Sequence, residues 1–165
     1  MKPKAPREVI VRVADWAAEG HDAVIVTLGL GSCVAIMLHD PAARVGAMAH
    51  ILLPSKSLAR ETSNLAKFPE TAVPLMLERL GTLGADRRRL VAKLAGGASM
   101  FAALMTPGSV QMGERNVVAC RQTLNQHGVA LVGEATGGDF GRTVRLRVAD
   151  GRVEISSVAH GAQIL

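Results

Sequence analysis

The feature that most constrains this chain is a thiol placed at the mouth of a glycine turn. Val24-Ile25-Val26 runs into Thr27, then Leu28-Gly29-Leu30-Gly31-Ser32, and Cys33 opens a second apolar run, Val34 to Leu38. A third run, Val45 to Leu53, carries His50 among apolar neighbours. Two glycines separated by one residue make a tight turn that delivers Cys33 to a strand end. Thr27, Cys33 and His50 are therefore expected at or near the ends of three neighbouring strands. If the second and third runs form a hairpin closed tightly at Asp40 to Ala43, Cys33 lies directly opposite His50, with Cβ atoms roughly 4.5–5.5 Å apart. A loop one residue longer would put the two on opposite faces, because strand side chains alternate with period two.

The chemistry this stretch permits is thiol catalysis. A free cysteine is mostly protonated at neutral pH, and a neighbouring imidazole can take its proton, favour the thiolate and later protonate a leaving group. A third group has only to orient the ring, and Thr27 can do so through its hydroxyl or through its backbone carbonyl. Gly29, Gly31 and Ser32 supply unshielded backbone N–H groups near the sulfur, suited to an oxyanion. Attack on a carboxamide would release ammonia and leave a thioester for water to cleave. Taken singly, each residue also has an ordinary structural use: a strand-start cysteine, a satisfied core histidine, two turn glycines.

Composition narrows the alternatives. The 165 residues read as one domain, 1–165, large enough to bury its core without staples. Aromatic residues make up 2% of the chain, with no tyrosine, so a base-stacking nucleic-acid platform is not expected. Arg87-Arg88-Arg89 and the stretch Arg142 to Arg147 concentrate the net charge of +5, which suits encounter with an acidic partner and equally a solvated arginine-rich surface. Two cysteines, Cys33 and Cys120, are too few for a disulfide framework. No metal motif, full dinucleotide fingerprint, signal-peptide core or membrane span is present, so no metal, no cofactor, no membrane insertion and a cytoplasmic site are expected.

Along the rest of the chain, Glu8 to Val13 suits an edge strand, and Asp15 to Gly20 a turn or short helical piece with Trp16 as a core plug. Ser55 to Lys67 is a long polar loop. Pro69 to Leu83 has helical periodicity, with Pro69 and Pro74 in or before a late-starting first turn. Arg89 to Ala95 reads as a buried strand ending at Gly96-Gly97. A second helix carries Val117, Val118, Cys120 and Leu124, with Cys120 inert on its apolar face. Strands follow at 129–132, 143–148 and 153–157. The order points to α+β with an antiparallel component.

Thr27 to Cys33, Gly46-Ala47-Met48-Ala49-His50 with Leu53-Pro54, Ala92 to Ala98 with Met100, Gly113-Glu114-Arg115-Asn116 and Gly137-Gly138-Asp139-Phe140-Gly141-Arg142 together resemble the chemoreceptor glutamine deamidases of the CheD family. The resemblance implies a layered sandwich of β-sheets with helices on one side, similar to cysteine-dependent deamidase toxins. It implies a cytoplasmic hydrolase that converts glutamine side chains of chemotaxis receptors to glutamate, with some activity on glutamyl methyl esters. Cys33, His50 and Thr27 match the family's catalytic residues. Implied partners are the receptor cytoplasmic domain and the CheC phosphatase; no cofactor or metal is implied. A rival of another class is a non-catalytic regulator that binds receptor or phosphatase. Phe68-Pro69-Glu70-Thr71-Ala72 departs from the family's usual Tyr-x-Asp-x-Ala, losing a hydroxyl and adding a proline at the helix start.

Overall fold

A computed structural model describes residues 2–165. It contains ten strands, β1 (Arg7–Ile10), β2 (Trp16–Glu19), β3 (Ala23–Leu30), β4 (Val34–Asp40), β5 (Val45–Ile51), β6 (Val91–Gly96), β7 (Ala130–Thr136), β8 (Arg142–Arg147), β9 (Arg152–Ser157) and β10 (Gly161–Ile164). Two α-helices, α1 (Pro69–Thr82) and α2 (Met112–Gln126), complete it with three short 3₁₀ turns. The strands form two five-stranded sheets, β1-β3-β8-β9-β10 and β2-β5-β4-β6-β7.

The layers follow from the burial pattern. β4 and β5 are buried at every position, as a strand covered on both faces must be. Their even and odd residues serve different cores. Val34, Ile36 and Leu38 pack with Met76, Leu80, Cys120 and Leu124 of the helices, while Ala35, Met37 and Met48 pack with Ile25, Val144 and Leu146 of the other sheet. The order is therefore helices, sheet, sheet. The outer sheet shows one solvated face, and β8 and β9 alternate accordingly, with Val144, Leu146, Val153 and Ile155 inside and Arg145, Arg147, Arg152 and Glu154 outside.

Several expectations are corrected here. The three central strands are not neighbours in one sheet: β3 belongs to the outer sheet, and β4 and β5 to the middle one. Asp15 to Gly20 is no helical piece, since Trp16–Glu19 pairs antiparallel with β5. Trp16 does pack against the helix-side core. β1 is an edge strand as expected, paired parallel to β3. α1 starts at Pro69 in the first helical position, where a missing N–H costs nothing, and Pro74 lies inside the helix on its exposed side. The family departure at Phe68-Pro69-Glu70 thus leaves the helix start intact, and Glu70 accepts the Lys56 N–H at 2.7 Å to anchor the preceding loop.

The β4–β5 turn is longer than a tight hairpin. Asp40 pairs with Val45, so Pro41 to Arg44 form the loop, and Arg44 takes a φ of 55°. Asp40 builds this turn. Its carboxylate accepts N–H groups of Ala42, Ala43 and Asp86 and the forked guanidinium of Arg89 at 3.1 and 3.0 Å. The side chain is completely buried. Burial alone would raise its pKa, but Arg89 and the three backbone donors outweigh it and hold the carboxyl well below the usual range. The arginine run 87–89 is thus partly spent on the fold, since Arg88 pairs with Asp86 and Arg89 with Asp40.

Asp40→Ala should cost about 2–4 kcal/mol, because three backbone donors and one guanidinium lose their acceptor together. The same carboxylate predicts acid sensitivity. Its folded pKa lies below its unfolded one, so its contribution is present above about pH 4 and is lost as pH falls toward the folded value. Denaturant melts of wild type and Asp40→Ala between pH 2 and 7 should converge at the acid end. Equal stabilities at pH 7 would remove Asp40 from this role.

Candidate active site

Thr27 and His50 meet across the interface of the two sheets. Thr27 lies in the inward phase of β3 with Ala23 and Ile25, His50 in the inward phase of β5 with Met48, and both are fully buried. The Thr27 Oγ1 stands 2.6 Å from the Val11 carbonyl oxygen and 2.7 Å from His50 Nδ1. A carbonyl only accepts, so the hydroxyl proton goes to Val11 and the hydroxyl oxygen must accept from Nδ1–H. This fixes the tautomer, and it is the Thr27 hydroxyl that contacts the ring. Nε2 is left unprotonated, buried and without a hydrogen-bond partner among the described residues.

Cys33 is not directly opposite His50. His50 pairs with Ala35 and Val34 with Ile51, a register two residues from the tight-hairpin expectation. The longer turn built by Asp40 accounts for the shift. A shift of two preserves parity, so Cys33 still lies on the His50 side of the strand, one diagonal step away, about 7–8 Å between backbones. Cys33 is only partly buried, and among the described residues its sulfur makes no hydrogen bond to His50, whose Nε2 is without a partner.

The turn between Thr27 and Cys33 is a β-bulge. Three steps on β3, from Thr27 to Leu30, match two on β8, from Val144 to Arg142. Gly29 supplies the positive φ of 67° that the bulge needs, and Leu28 and Gly29 are pushed out to solvent. Beyond the bulge, the carbonyls of Gly31, Ser32 and Cys33 are held in sequence by Ala98 N–H, Asn116 Nδ2 and Gly97 N–H at 2.8, 2.9 and 2.8 Å. The N–H groups of Ser32 and Cys33 share their peptide planes with the held Gly31 and Ser32 carbonyls and so point away from the protein, and the N–H groups of Gly31, Ser32 and Cys33 donate to no backbone carbonyl among the described residues.

The partners of that loop were not singled out from the sequence as site residues. Gly96 has a φ of 107°, and a Cβ on it would stand 2.3 Å from the Cys33 carbonyl oxygen, so only glycine lets β6 approach the Cys33 loop this closely. Asn116 is fully buried on α2 and donates to both Ser32 and Leu52 carbonyls, at 2.9 and 3.2 Å, joining the chain before Cys33 to the chain after His50. Its signal in the sequence is an amide next to Val117 and one turn before Cys120 on a mostly apolar helix face.

The electrostatics favour an uncharged resting pair. Burial pushes the Cys33 thiol up, only partly offset by its own backbone N–H, and burial pulls the His50 imidazole down. Both shifts favour the uncharged forms, a neutral thiol and a neutral imidazole. Cys120 is completely buried and its thiol is pushed far up, as expected of an inert residue. Among the described residues no cluster of three His, Cys, Asp or Glu side chains could hold a metal, and no helix is long and apolar enough to cross a membrane.

The model of the CheD family, described as chemotactic sensory transduction, matches residues 52–157. A protein of Caldanaerobacter subterraneus subsp. tengcongensis named probable chemoreceptor glutamine deamidase CheD is 38% identical over 155 residues, covering 94% of this chain and 96% of its own. The chemoreceptor glutamine deamidase CheD of Thermotoga maritima is 40% identical over 155 residues, covering 94% and 95%. Among solved structures, the Neisseria meningitidis protein NMB0706, of family DUF152, superposes with a TM-score of 0.51 at 11% identity, covering 82% of this chain and 65% of that one, a likeness of fold.

The hydrogen bond to Thr27 and the burial of the ring predict that His50 is neutral in the Nδ1–H form at pH 7, with a pKa below its ordinary value of about 6.5. Nitrogen-15 imidazole shifts should report that tautomer at pH 7 and a midpoint below 6.5. Because the unfolded chain takes up this proton first, the stability linked to His50 is present above about pH 6.5 and is lost as pH falls. Thr27→Val should raise the Nε2–H population and lower stability by about 1–3 kcal/mol, since the Val11 carbonyl and Nδ1 both lose a partner. An Nε2–H tautomer in wild type would contradict the assignment.

Proposed function

Because the chain belongs to the CheD family, we propose that it deamidates glutamine side chains of chemotaxis receptors, with Cys33 as nucleophile, His50 as general base and acid, and Thr27 as the residue that orients His50. The observation that carries this reading is the Thr27–His50 hydrogen bond, which leaves the Nε2 lone pair free on the same face as the thiol.

The steps use only these groups and the turn. The Cys33 thiol gives its proton to His50 Nε2 as sulfur bonds to the carboxamide carbon, and the carbonyl electrons move to oxygen, where the N–H groups of Gly31, Ser32 and Cys33 receive them. The C–N bond then breaks, the Nε2 proton leaves with the nitrogen as ammonia, and a thioester remains. Water gives a proton back to Nε2, adds to the thioester, and the C–S bond breaks as sulfur recovers its proton. The net change is glutamine plus water to glutamate plus ammonia. A glutamyl methyl ester would follow the same path with methanol as leaving group. Gly29 shapes the turn, Asn116 and Gly96 position the loop, and CheC is read as a second partner competing with receptor for this face.

Cys33→Ala should abolish deamidation of a receptor cytoplasmic fragment, followed by mass, while Cys120→Ala should retain it. Retained turnover in folded Cys33→Ala would exclude the thiol mechanism. Tight receptor binding by a wild-type protein that produces no glutamate would favour the non-catalytic regulator instead.

The neutral resting pair makes a separate prediction. Iodoacetamide should modify Cys33 slowly at pH 6 and faster as pH rises, with no plateau below about 8.5, the ordinary thiol value. Turnover should stay flat from pH 7 to 8, because the imidazole takes the proton only as sulfur attacks. Fast, pH-independent alkylation down to pH 6 would indicate a preformed thiolate–imidazolium pair.

A further inference from the structure

The segment Gly137 to Arg142 takes no part in the chemistry above, yet it carries a buried cation. Arg142 is 6% exposed, its Nη1 is fully buried without a partner, and its side chain makes no hydrogen bond or ion pair among the described residues. In β8 it occupies the inward phase with Val144 and Leu146, opposite Leu30 in the ladder. Desolvation pulls its pKa down, the mark of a charge whose lost hydration is not repaid. Every other strand arginine with a fixed partner faces outward, as Arg145 does toward Glu8 and Arg147 toward Asp150.

Arg142 lines an open cleft of about 690 Å³ with Gly29, Met100, Phe140, Thr143, Ser156 and Val158. This cleft begins at the nucleophile turn: Gly29 is the bulge residue, and Met100 Sδ lies 3.1 Å from where a Cβ on Gly31 would be. No acidic residue lines it. The guanidinium is held over the Phe140 ring, 4.2 Å from its centroid, and that ring also meets His160. The cleft therefore combines a prepositioned cation, serine and threonine hydroxyls and an apolar rim of Met100, Phe140 and Val158.

We propose that this cleft is a substrate subsite in which Arg142 receives a carboxylate side chain that the substrate protein presents beside the target glutamine. The inference rests on the deamidase reading. A guanidinium with unused donors in a low-dielectric setting pairs best with a planar carboxylate, and hydroxyls and methylene-sized apolar walls fit the rest of a glutamate or aspartate side chain. On a helix, a residue one turn from the glutamine lies about 5–6 Å from it on the same face. The cleft therefore selects glutamines with an acid one turn away.

The test uses the full chain and two helical receptor fragments that differ in one position, glutamate or glutamine one turn from the target. Wild type should favour the glutamate fragment in kcat/KM by about 10- to 100-fold, the range of a charge-assisted hydrogen bond. Arg142→Met should reduce that preference to near unity, and Arg142→Lys should restore part of it, while the Cys33 alkylation rate and its pH dependence stay unchanged. Should Arg142→Met fail to fold, the wild-type comparison of the two fragments decides alone. Equal kcat/KM for both fragments, or a preference that survives in folded Arg142→Met, would overturn the proposal while leaving deamidation intact. If neither fragment is deamidated, the deamidase reading fails, and binding of both to Cys33→Ala protein decides the cleft: a glutamate preference abolished by Arg142→Met upholds the subsite, and equal binding overturns it. Inhibition by fragments already converted to glutamate at the target, lost in Arg142→Met with no effect of the neighbouring acid, would assign Arg142 to the product carboxylate and overturn the proposal.

Discussion

The hydrogen-bonded chain from Val11 carbonyl through the Thr27 hydroxyl to His50 is the interaction on which the site depends. It joins three segments from two sheets in a core otherwise built of aliphatic side chains. A histidine placed there without a partner would cost the desolvation of a polar group. Thr27 satisfies Nδ1, and the carbonyl dictates the direction of the hydroxyl proton. The result is a base whose single unsatisfied atom is Nε2. Structure and reactivity are thus set by one choice of donor: what makes His50 tolerable in the core also makes it available as a base.

Around this fixed ring, the nucleophile loop is held entirely by its carbonyls. Ala98, Asn116 and Gly97 take up the oxygens of Gly31, Ser32 and Cys33, and Gly113 lets α2 come close behind them, since a Cβ there would stand 2.4 Å from the Ala98 carbonyl oxygen. A peptide plane has its C=O and N–H on opposite sides. Binding the Gly31 and Ser32 carbonyls to the interior turns outward the N–H groups that share their peptide planes, those of Ser32 and Cys33. An oxyanion site therefore needs no dedicated side chain on the proposed mechanism; it follows from how β6 and α2 grip the loop. The same grip explains why the glycines of β6 and α2 sit far along the chain from the cysteine they serve.

Much of this was legible in the sequence, and the failures have physical causes. Continuous apolar runs at Val34 to Leu38 and Val45 to Leu53 marked two paired strands, and Thr27, Cys33 and His50 stood out as polar residues against the apolar runs. The assignment of β3 to a separate sheet was not legible, because an apolar run facing one core looks like an apolar run facing another. The hairpin register was missed because it depends on Asp40, whose acceptors reach Asp86 and Arg89 more than forty residues away. β2 and β10 are four-residue strands whose pattern carries too few residues to show a period, and β10 is exposed throughout. Asn116 and Arg142 left a clearer trace. Each is a polar residue in the apolar phase of its element, and that phase becomes readable only once α2 and β8 are placed.

On the proposed mechanism, burial of Cys33 and His50 also governs how the protein handles its own reactivity. A low-pKa thiolate is reactive toward oxidants and alkylating agents at all times, substrate or not. Burial raises the thiol and lowers the imidazole, which favours the neutral form of each, and on this mechanism the sulfur is a poor nucleophile until a carboxamide is positioned over the turn. Proton transfer to Nε2 then accompanies attack, and the charge that appears is placed on oxygen beside three N–H groups instead of on sulfur in an apolar interior. Desolvation, which raises the cost of an isolated charge, also strengthens every hydrogen bond to the oxyanion. On the proposed mechanism the interior thus penalises the resting thiolate and favours the transition state by the same low polarity, which is the differential stabilisation that catalysis requires.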